Sequence, residues 1–267
     1  MSGIAKRCKV SIITATYNSE KTLQDTLKSV CNQTYDNIEH IIIDGASTDS
    51  TTSIIREYIR RQGGKPIICR SEPDNGIYDA LNKGISLATG DIVGFLHSDD
   101  LFANKDVIGK IVERFYEEQV DGVYGDMIFV DPVNIKKVKR IWLTGTGKFE
   151  KGWTIPHQTL YLKKSIYDEY GEYLADMRDA ADNEFILRVC KDGKIKTSYI
   201  KEVLVIMKLG GASTKNLGSS KVGFDEVQRS LEIHGIKNPR LVNFCRLFSK
   251  LKQILRAKVI KYNVEVD

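Results

Sequence analysis

Residues 92–100 read Ile-Val-Gly-Phe-Leu-His-Ser-Asp-Asp. The apolar first part predicts a buried β-strand over residues 92–96, and the polar residues after it bring Asp99 and Asp100 to the carboxyl end of that strand. Ligands of open α/β sheets bind at this end of the strands. Two adjacent carboxylates there offer the hard oxygen ligands that Mg²⁺ or Mn²⁺ prefers. The stretch predicts a divalent metal site at Asp99 and Asp100; the alternative is that both cap the helix that follows.

Similar apolar runs alternate with helix-like stretches along the chain. Strand patterns occupy residues 10–14, 38–43, 66–70, 122–130 and 157–162, and helix patterns occupy residues 19–31, 54–61, 77–88, 105–117 and 182–190. This alternation predicts an α/β fold whose mostly parallel sheet is covered by helices on both faces.

The charge is uneven along the 267 residues. Residues 237–267 hold 8 Lys/Arg and 2 acidic residues, a net charge of +6, which leaves 32 basic and 33 acidic groups in residues 1–236. A neutral body with a basic tail argues against a nucleic-acid partner. The five cysteines have no paired spacing and indicate a reducing, cytoplasmic setting.

The first βα turn bears on the choice of nucleotide. Residues 14–18 read Thr-Ala-Thr-Tyr-Asn, without the glycines that wrap a pyrophosphate in NAD- and FAD-binding folds, and no P-loop motif follows elsewhere. Asp44 comes directly after the apolar run at residues 41–43. A carboxylate at this position either accepts a hydrogen bond from a nucleobase or ribose, or serves the turn.

Three segments, in this order, resemble the inverting glycosyltransferases of family 2, which have the GT-A fold. They are residues 11–18 (Ser-Ile-Ile-Thr-Ala-Thr-Tyr-Asn), residues 43–51 (Ile-Asp-Gly-Ala-Ser-Thr-Asp-Ser-Thr) and residues 95–100. Within that family, residues 71–84 resemble the branch that builds bacterial polysaccharides such as colanic acid. The resemblance weakens towards residue 214 and leaves the basic tail outside it. His97 stands where many family members carry aspartate.

The resemblance implies a role for individual residues. The nucleoside would be held by Thr14, Ala15, Tyr17, Asp44, Asp74 and Asn75. Asp99, with Asp100 supporting it, would bind Mn²⁺ or Mg²⁺, and Asp182 would be the catalytic base. The glycine-rich residues 210–214 resemble a loop that closes over the donor. Asp79, Asp126 and His157 are candidates to contact the donor sugar or the acceptor, with surface or turn roles as the alternative.

The resulting hypothesis is a metal-dependent inverting glycosyltransferase. It would move a sugar from a nucleotide-diphosphate donor, with a UDP-sugar favoured, to a hydroxyl of a saccharide acceptor. We expect a GT-A domain over residues 1–236, with a nucleotide-binding half to residue 100 and an acceptor-binding half after it. A sugar-1-phosphate nucleotidyltransferase and a non-catalytic nucleotide-sugar-binding protein are the alternatives.

Residues 237–267 predict a basic amphipathic helix. The apolar residues that recur at helical spacing are Leu241, Phe244, Cys245, Phe248, Leu251, Leu255 and Val259. Such a helix binds the headgroup layer of an anionic membrane. Residues 240–262 would then hold a cytoplasmic enzyme at the inner face of the membrane, near a lipid-linked acceptor. The alternative is that the apolar stripe packs on the domain or on a second subunit.

Overall fold

The structure, a computed structural model, describes residues 8–62, 66–210, 217–260, 262 and 264, without the side chains of residues 217–220. The strands are β1 (Val10–Thr16), β2 (Ile38–Asp44), β3 (Ile67–Ser71), β4 (Ile92–Phe95), β5 (Asp100–Phe102), β6 (Gly122–Val130), β7 (Val138–Trp142), β8 (Tyr161–Lys163) and β9 (Thr197–Lys208). The helices are α1 (Leu23–Cys31), α2 (Thr51–Arg61), α3 (Ile77–Leu87), α4 (Val107–Glu118), α5 (Lys164–Tyr170), α6 (Ala181–Cys190), α7 (Leu217–Ile233) and α8 (Pro239–Val259), with 3₁₀ turns at Phe149–Lys151 and His157–Thr159.

One continuous sheet carries all of the described strands, in the order β3-β2-β1-β4-β8-β6-β9-β5, with β7 paired to β6. The first four strands in this order are parallel. Strand β8 then joins β4 to β6 in antiparallel pairs, and β5 and β7 are also antiparallel to their neighbours. The predicted α/β class is confirmed. The sheet is mixed rather than mostly parallel, because residues after 100 return through antiparallel strands.

Both faces of the parallel strands β1, β2 and β4 are buried, as continuous apolar runs require. Ile12 and Ile13 are adjacent in β1, and each belongs to a different hydrophobic cluster. Ile13 packs in the cluster that includes α3 and α6, whereas Ile12 packs in the cluster that includes α4. The carboxyl ends of β1, β2 and β4 are therefore fixed relative to one another, and the residues that follow these strands lie along one edge of the sheet.

The Thr14 side chain in β1 hydrogen-bonds to β2 and to the segment after β4. Its hydroxyl donates to the backbone oxygen of Leu96 over 2.7 Å, so it accepts from Nε2 of His40 at 2.9 Å. Nδ1 of His40 then accepts from the Tyr58 hydroxyl at 3.1 Å. Burial lowers the pKa of His40 to about 3, in agreement with this neutral tautomer. The network holds β1, β2 and the segment after β4 in register.

The predicted strand over residues 157–162 is wrong in its first half. Residues His157–Thr159 form a 3₁₀ turn instead, and β8 begins at Tyr161. The amide and hydroxyl of Thr159 both donate to the backbone oxygen of Pro156 at 2.9 Å, which bends the chain before the strand starts. The bend moves the His157 side chain away from a sheet position and towards α6.

Helix α8 packs on the domain with its polar face. Asn243, Arg246, Ser249 and Gln253 are buried or half-buried, and its backbone passes so close to Gly152 that a Cβ there would lie 3.0 Å from the Arg246 nitrogen. The exposed large side chains of this helix are Leu241, Phe244, Leu247, Phe248, Leu251, Ile254, Leu255 and Val259. The alternative in which the apolar stripe packs on the domain is therefore wrong. Among the described helices, none is long and apolar enough to cross a membrane.

Gly94 in β4 provides a test of the packing beneath the site. A Cβ at this position would lie 2.0 Å from Cε1 of the fully buried Tyr161. Gly94→Ala is expected to lower the free energy of unfolding by about 1–3 kcal/mol or more, because the core has no room for the methyl group. The measurement is the urea midpoint.

Gly109→Ala is the matched control, since nothing lies within 4 Å of a Cβ there and Gly109 is inside α4. That change should stabilise the protein by up to about 1 kcal/mol through helix propensity. Equal effects of the two substitutions would contradict this packing.

Candidate active site

The carboxylate of Asp182 lies at the centre of a row of hydrogen bonds. Asp182 is in the first turn of α6, and its Oδ1 accepts from the Tyr78 hydroxyl at 3.0 Å. Its Oδ2 lies 2.9 Å from Nδ1 of His157, and Nε2 of His157 lies 2.8 Å from Nε2 of His97. Residues from α3, α6, the 3₁₀ turn and the end of β4 thus meet at one carboxylate. We refer to Tyr78, Asp182, His157 and His97 as the carboxylate–histidine row.

The row determines where its protons lie. Nδ1 of His157 donates to Asp182, because an ionised carboxylate only accepts. Burial lowers the pKa of His97 to about 3, and the neighbouring His157 contributes to the lowering, so His97 is neutral at pH 7. Nδ1 of His97 is buried without a hydrogen-bond partner in the described structure. Because an unpaired buried N–H is rarer than an unpaired acceptor, the arrangement favours His97 donating to His157 through Nε2.

Asp182 remains ionised despite its enclosed position. Burial alone would raise its pKa, but the hydrogen bonds from His157 and from Tyr78 lower the pKa of Asp182 to about 2. Its side chain keeps a quarter of its surface exposed. An ionised, accessible and fixed carboxylate is suited to accept a proton from a bound hydroxyl.

A pocket of about 270 Å³, partly open to solvent, lies beside this carboxylate. Its lining includes His157, Asp182, Asn183, Trp142 from β7 and Arg246 from α8. The basic helix outside the predicted domain thus contributes a wall of the site. None of the residues predicted to hold the nucleoside lines this pocket.

Two residues predicted to hold the nucleoside, Thr14 and Asp44, have buried side chains that hydrogen-bond to other residues of the protein. The Thr14 hydroxyl is fully engaged with His40 and Leu96. Asp44 has no exposed surface, and its oxygens accept from the Ser47 hydroxyl at 2.5 Å and the Ser71 hydroxyl at 2.6 Å. Ala15 is also buried. These contacts agree with the turn role of Asp44, and its contact with a nucleoside stays a prediction.

The other predicted nucleoside residues lie open at the same edge. Tyr17 is 63% exposed, Asn75 is exposed and Asp74 is half-buried. A Cβ on Gly45 would lie 2.6 Å from Asp74 Oδ2 and 3.3 Å from Tyr17 Cδ2. The loops after β1, β2 and β3 thus bring Tyr17 and Asp74 together across a glycine, which leaves an aromatic face and a carboxylate available to a ligand.

The two aspartates predicted to bind metal are in different environments. Asp99 is half-buried after β4, whereas Asp100 has no exposed surface. Both carboxyl oxygens of Asp100 are buried without a hydrogen-bond partner in the described structure. Burial, followed by the charge of Asp99, raises the pKa of Asp100. Asp99 is therefore the accessible carboxylate of the two, and Asp100 as a second ligand stays a prediction.

The described residues contain no group of three or more His, Cys, Asp or Glu side chains that would hold a metal by themselves. Mg²⁺ is commonly bound by one or two carboxylates together with substrate phosphates. Asp99 alone at the strand end fits that kind of site.

Asp79 and Asp126 have structural partners. Asp79 Oδ2 accepts from the Asn75 amide at 2.9 Å and lies 3.4 Å from the Lys83 ammonium. Asp126 is buried and its Oδ1 accepts from the Thr144 amide at 2.6 Å and the Tyr199 hydroxyl at 2.7 Å. These contacts agree with the turn and structural alternatives. Of the predicted closing loop at residues 210–214, residues 211–214 lie outside the described part.

Sequence reasoning missed Tyr78 and Arg246. Tyr78 is next to Asp79, the candidate contact for the donor sugar or the acceptor. In α3 the Tyr78 side chain is buried, whereas the Asp79 side chain is partly exposed. Arg246 was counted as part of a membrane-facing tail. His97 was noted as a departure from the family pattern, but its contact with His157 depends on the 3₁₀ turn, which the apolar pattern of residues 157–162 does not show.

Residues 11–177 match the family described as glycosyl transferase family 2. The chain therefore belongs to glycosyl transferase family 2, and its fold is GT-A.

Two curated relatives are similar over most of the chain. An uncharacterized glycosyltransferase of Mycobacterium tuberculosis is 37% identical over 198 residues, covering 70% of this chain and 72% of the relative. A PGL/p-HBAD biosynthesis glycosyltransferase of Mycobacterium bovis is 31% identical over 210 residues, covering 76% and 78%.

Solved structures agree on the fold. S. aureus TarS 1–349 in complex with UDP-GlcNAc has a TM-score of 0.68 at 18% identity, covering 91% of this chain and 73% of that chain. The mannosyltransferase PcManGT of Pyrobaculum calidifontis, in complex with GDP-Man and Mn²⁺, has a TM-score of 0.66 at 18% identity, covering 95% and 74%.

Substituting each aspartate in turn separates the roles of Asp99 and Asp100. Wild-type protein with UDP and Mn²⁺ should melt at a higher temperature than with UDP and EDTA, since a ligand at 100 times its Kd stabilises by about 2.7 kcal/mol. Asp99→Asn should lose this metal-dependent increase, whereas Asp100→Asn should keep it. Loss of the increase in Asp100→Asn, with Asp99→Asn unaffected, would contradict the assignment.

Proposed function

We propose that this protein is an inverting glycosyltransferase that uses a nucleotide-diphosphate sugar and an acceptor hydroxyl, with Asp182 as the catalytic base. The observation that carries the proposal is the carboxylate–histidine row, which holds an ionised carboxylate at the rim of a pocket. Family membership supports sugar transfer over the nucleotidyltransferase alternative. The ionised Asp182 supports turnover over a purely binding role.

In the proposed reaction, the acceptor hydroxyl loses its proton to Asp182 as its oxygen attacks the anomeric carbon. The new carbon–oxygen bond forms while the bond to the diphosphate breaks, and the nucleoside diphosphate leaves with its electron pair. His157 keeps the carboxylate oriented, and His97 keeps His157 oriented. A single base on the face opposite the leaving group gives inversion. General base catalysis of this kind contributes about 10²- to 10⁴-fold to a rate.

The donor would lie along the open strand ends. Tyr17 offers an aromatic face to the nucleobase, and Asp74 and Asn75 lie beside Tyr17. Thr14, Ala15 and Asp44 are buried beneath the loops that carry these residues. When bound at Asp99, a divalent ion would offset the charge on the diphosphate. A UDP-sugar is favoured because TarS 1–349 binds UDP-GlcNAc. GDP-mannose, which PcManGT binds with Mn²⁺, is the second donor to test.

Asp182→Asn tests the base. The variant should release UDP from UDP-GlcNAc, or GDP from GDP-mannose, about 10²- to 10⁴-fold more slowly at saturating donor. Donor affinity should not change, because Asp182 lies away from the proposed nucleoside residues. Asp192→Asn, an exposed carboxylate just past the end of α6, is the control and should behave as wild type. Equal rates in both variants would exclude Asp182 as the base.

The pH profile of the wild type and His157→Gln tests the row. In the wild type, Asp182 stays ionised down to a pKa of about 2, so loss of the base does not limit kcat between pH 5 and 8. Replacing His157 removes the hydrogen bond that lowers the pKa of Asp182 most, while burial still raises that pKa. The acidic limb of the kcat profile should therefore move to higher pH. An unshifted limb would show that His157 does not hold Asp182 ionised.

We further propose that α8 places the enzyme on an anionic membrane surface, next to a lipid-linked saccharide acceptor. Its apolar face is exposed, with Phe248 65% and Leu251 54% exposed. Lys252, Arg256 and Lys258 are exposed around this face, and each cation near an anionic surface contributes about 1 kcal/mol. The combination of an apolar face and flanking cations favours anionic lipid over an uncharged protein surface.

Vesicle sedimentation tests this placement. Wild-type protein should sediment with phosphatidylglycerol vesicles and less with phosphatidylcholine vesicles. Phe248→Glu combined with Leu251→Glu should abolish sedimentation without unfolding, because both side chains are exposed. Val133→Glu, in the turn between β6 and β7 and 93% exposed, is the control. Unchanged vesicle binding by the double variant, or a dimer in light scattering that the double variant abolishes, would contradict the membrane role.

A further inference from the structure

The pocket beside Asp182 contains two hydrogen-bond donors that the protein does not satisfy. Nη1 of Arg246 and Nδ2 of Asn183 are both buried without a partner in the described structure, and both residues line the pocket. Buried donors are nearly always paired, so two orphans in one pocket indicate a missing acceptor. A ligand that fits them must present oxygen atoms that accept hydrogen bonds.

The pocket lining holds one cation, Arg246, together with the ionised Asp182, and further cations lie on α8 and β7. Lys250 lies one turn after Arg246 on the same side of α8, as residues four apart do. Arg140 of β7 donates to Gln253 of α8 at 2.6 Å and stacks on Trp142, whose ring also lines the pocket. Burial lowers the pKa of Lys250, and the charges of Arg140 and Arg246 lower it further. Arg246 is the cation among the lining residues, and its unpaired Nη1 is available to an oxyanion.

The donor diphosphate is not the natural occupant. The residues that line the pocket come from after residue 141, and they include the proposed base but neither Asp99 nor Tyr17. A group bound here would lie beside the carboxylate of the proposed base. At about 270 Å³ including open solvent, the pocket takes one small group and not a whole saccharide.

We infer that the acceptor carries its own oxyanion, a phosphate or a carboxylate on the sugar that reacts, and that Arg246 and Asn183 bind this group beside Asp182. The inference rests on the proposed function, since it names the acceptor class for that site. It also gives α8 a second role. The polar face of the helix binds the charged end of the acceptor, and its apolar face lies on the membrane that holds the rest of a lipid-linked acceptor.

The experiment uses the full chain, EDTA and no nucleotide, so that only the acceptor side is probed. Glucose 1-phosphate and glucuronate are titrated by calorimetry at constant ionic strength, with methyl glucoside as the neutral control. At least one of the two anions should bind, and methyl glucoside should not. Arg246→Gln should weaken anion binding about tenfold or more, as expected for loss of a charged hydrogen bond. Preference between the two anions tells whether phosphate or carboxylate is the group.

Three controls keep the outcome decisive. Arg240→Gln, an exposed cation on the same helix and outside the pocket, should bind the anion as wild type does. Arg246→Lys keeps the charge and should retain part of the affinity, which separates charge loss from a folding defect. The affinity for UDP with Mn²⁺ should be unchanged in Arg246→Gln.

Absence of anion binding in the wild type, or equal weakening by Arg240→Gln, would overturn the inference. A loss of UDP affinity in Arg246→Gln that matches the loss of anion affinity would overturn it too, because the pocket would then serve the donor. Failure of UDP to bind the wild type with Mn²⁺ would instead remove the proposed function. The two failures are therefore distinguishable.

Discussion

The hydrogen bond between His97 and His157 is the constraint on which the site depends. It joins the segment after β4 to the 3₁₀ turn whose His157 contacts Asp182, so one contact connects the strand ends to that carboxylate. The pair works because burial keeps His97 neutral. An aspartate at position 97, common in the family, would instead place a second negative charge near Asp182. With histidine at position 97, Asp182 is instead contacted through His157, and its carboxylate stays in place.

A surface helix usually buries its apolar face against the core, but α8 leaves its apolar face exposed to solvent. Here Asn243 and Gln253 are buried, while Phe244, Phe248 and Leu255 are exposed. Exposed apolar patches of this kind mark interaction surfaces. Because Arg246 lines the pocket beside Asp182, the same helix has an exposed apolar face and an inner face at the candidate site.

Much of the fold could be predicted from sequence because local patterns determine it. The parallel strands β1, β2 and β4 are continuous apolar runs, and the strand ends carry Asp44 and Asp99 in plain view. Asp182 was identified by family resemblance, and its contacts were not predictable. The hydrogen bonds of Tyr78 and His157 to Asp182 join residues far apart in sequence. For α8, the helical pattern shows an apolar stripe but does not tell which face of the helix packs on the domain. For the same reason the burial of Asp100 and Thr14 was missed, since adjacent residues at a strand end differ in exposure according to how the next strand packs.

The most direct test of the central claim is the configuration of the sugar that the enzyme releases when water replaces the acceptor. Proton NMR in the first minutes, before mutarotation, reports the anomer freed from UDP-GlcNAc or GDP-mannose with Mn²⁺. The account predicts the anomer opposite to that in the donor, because one base delivers the attacking oxygen from the face opposite the diphosphate. Release of the same anomer would contradict a single-displacement role for Asp182. No consumption of either donor, with both bound, would instead support a nucleotide-sugar-binding protein without turnover.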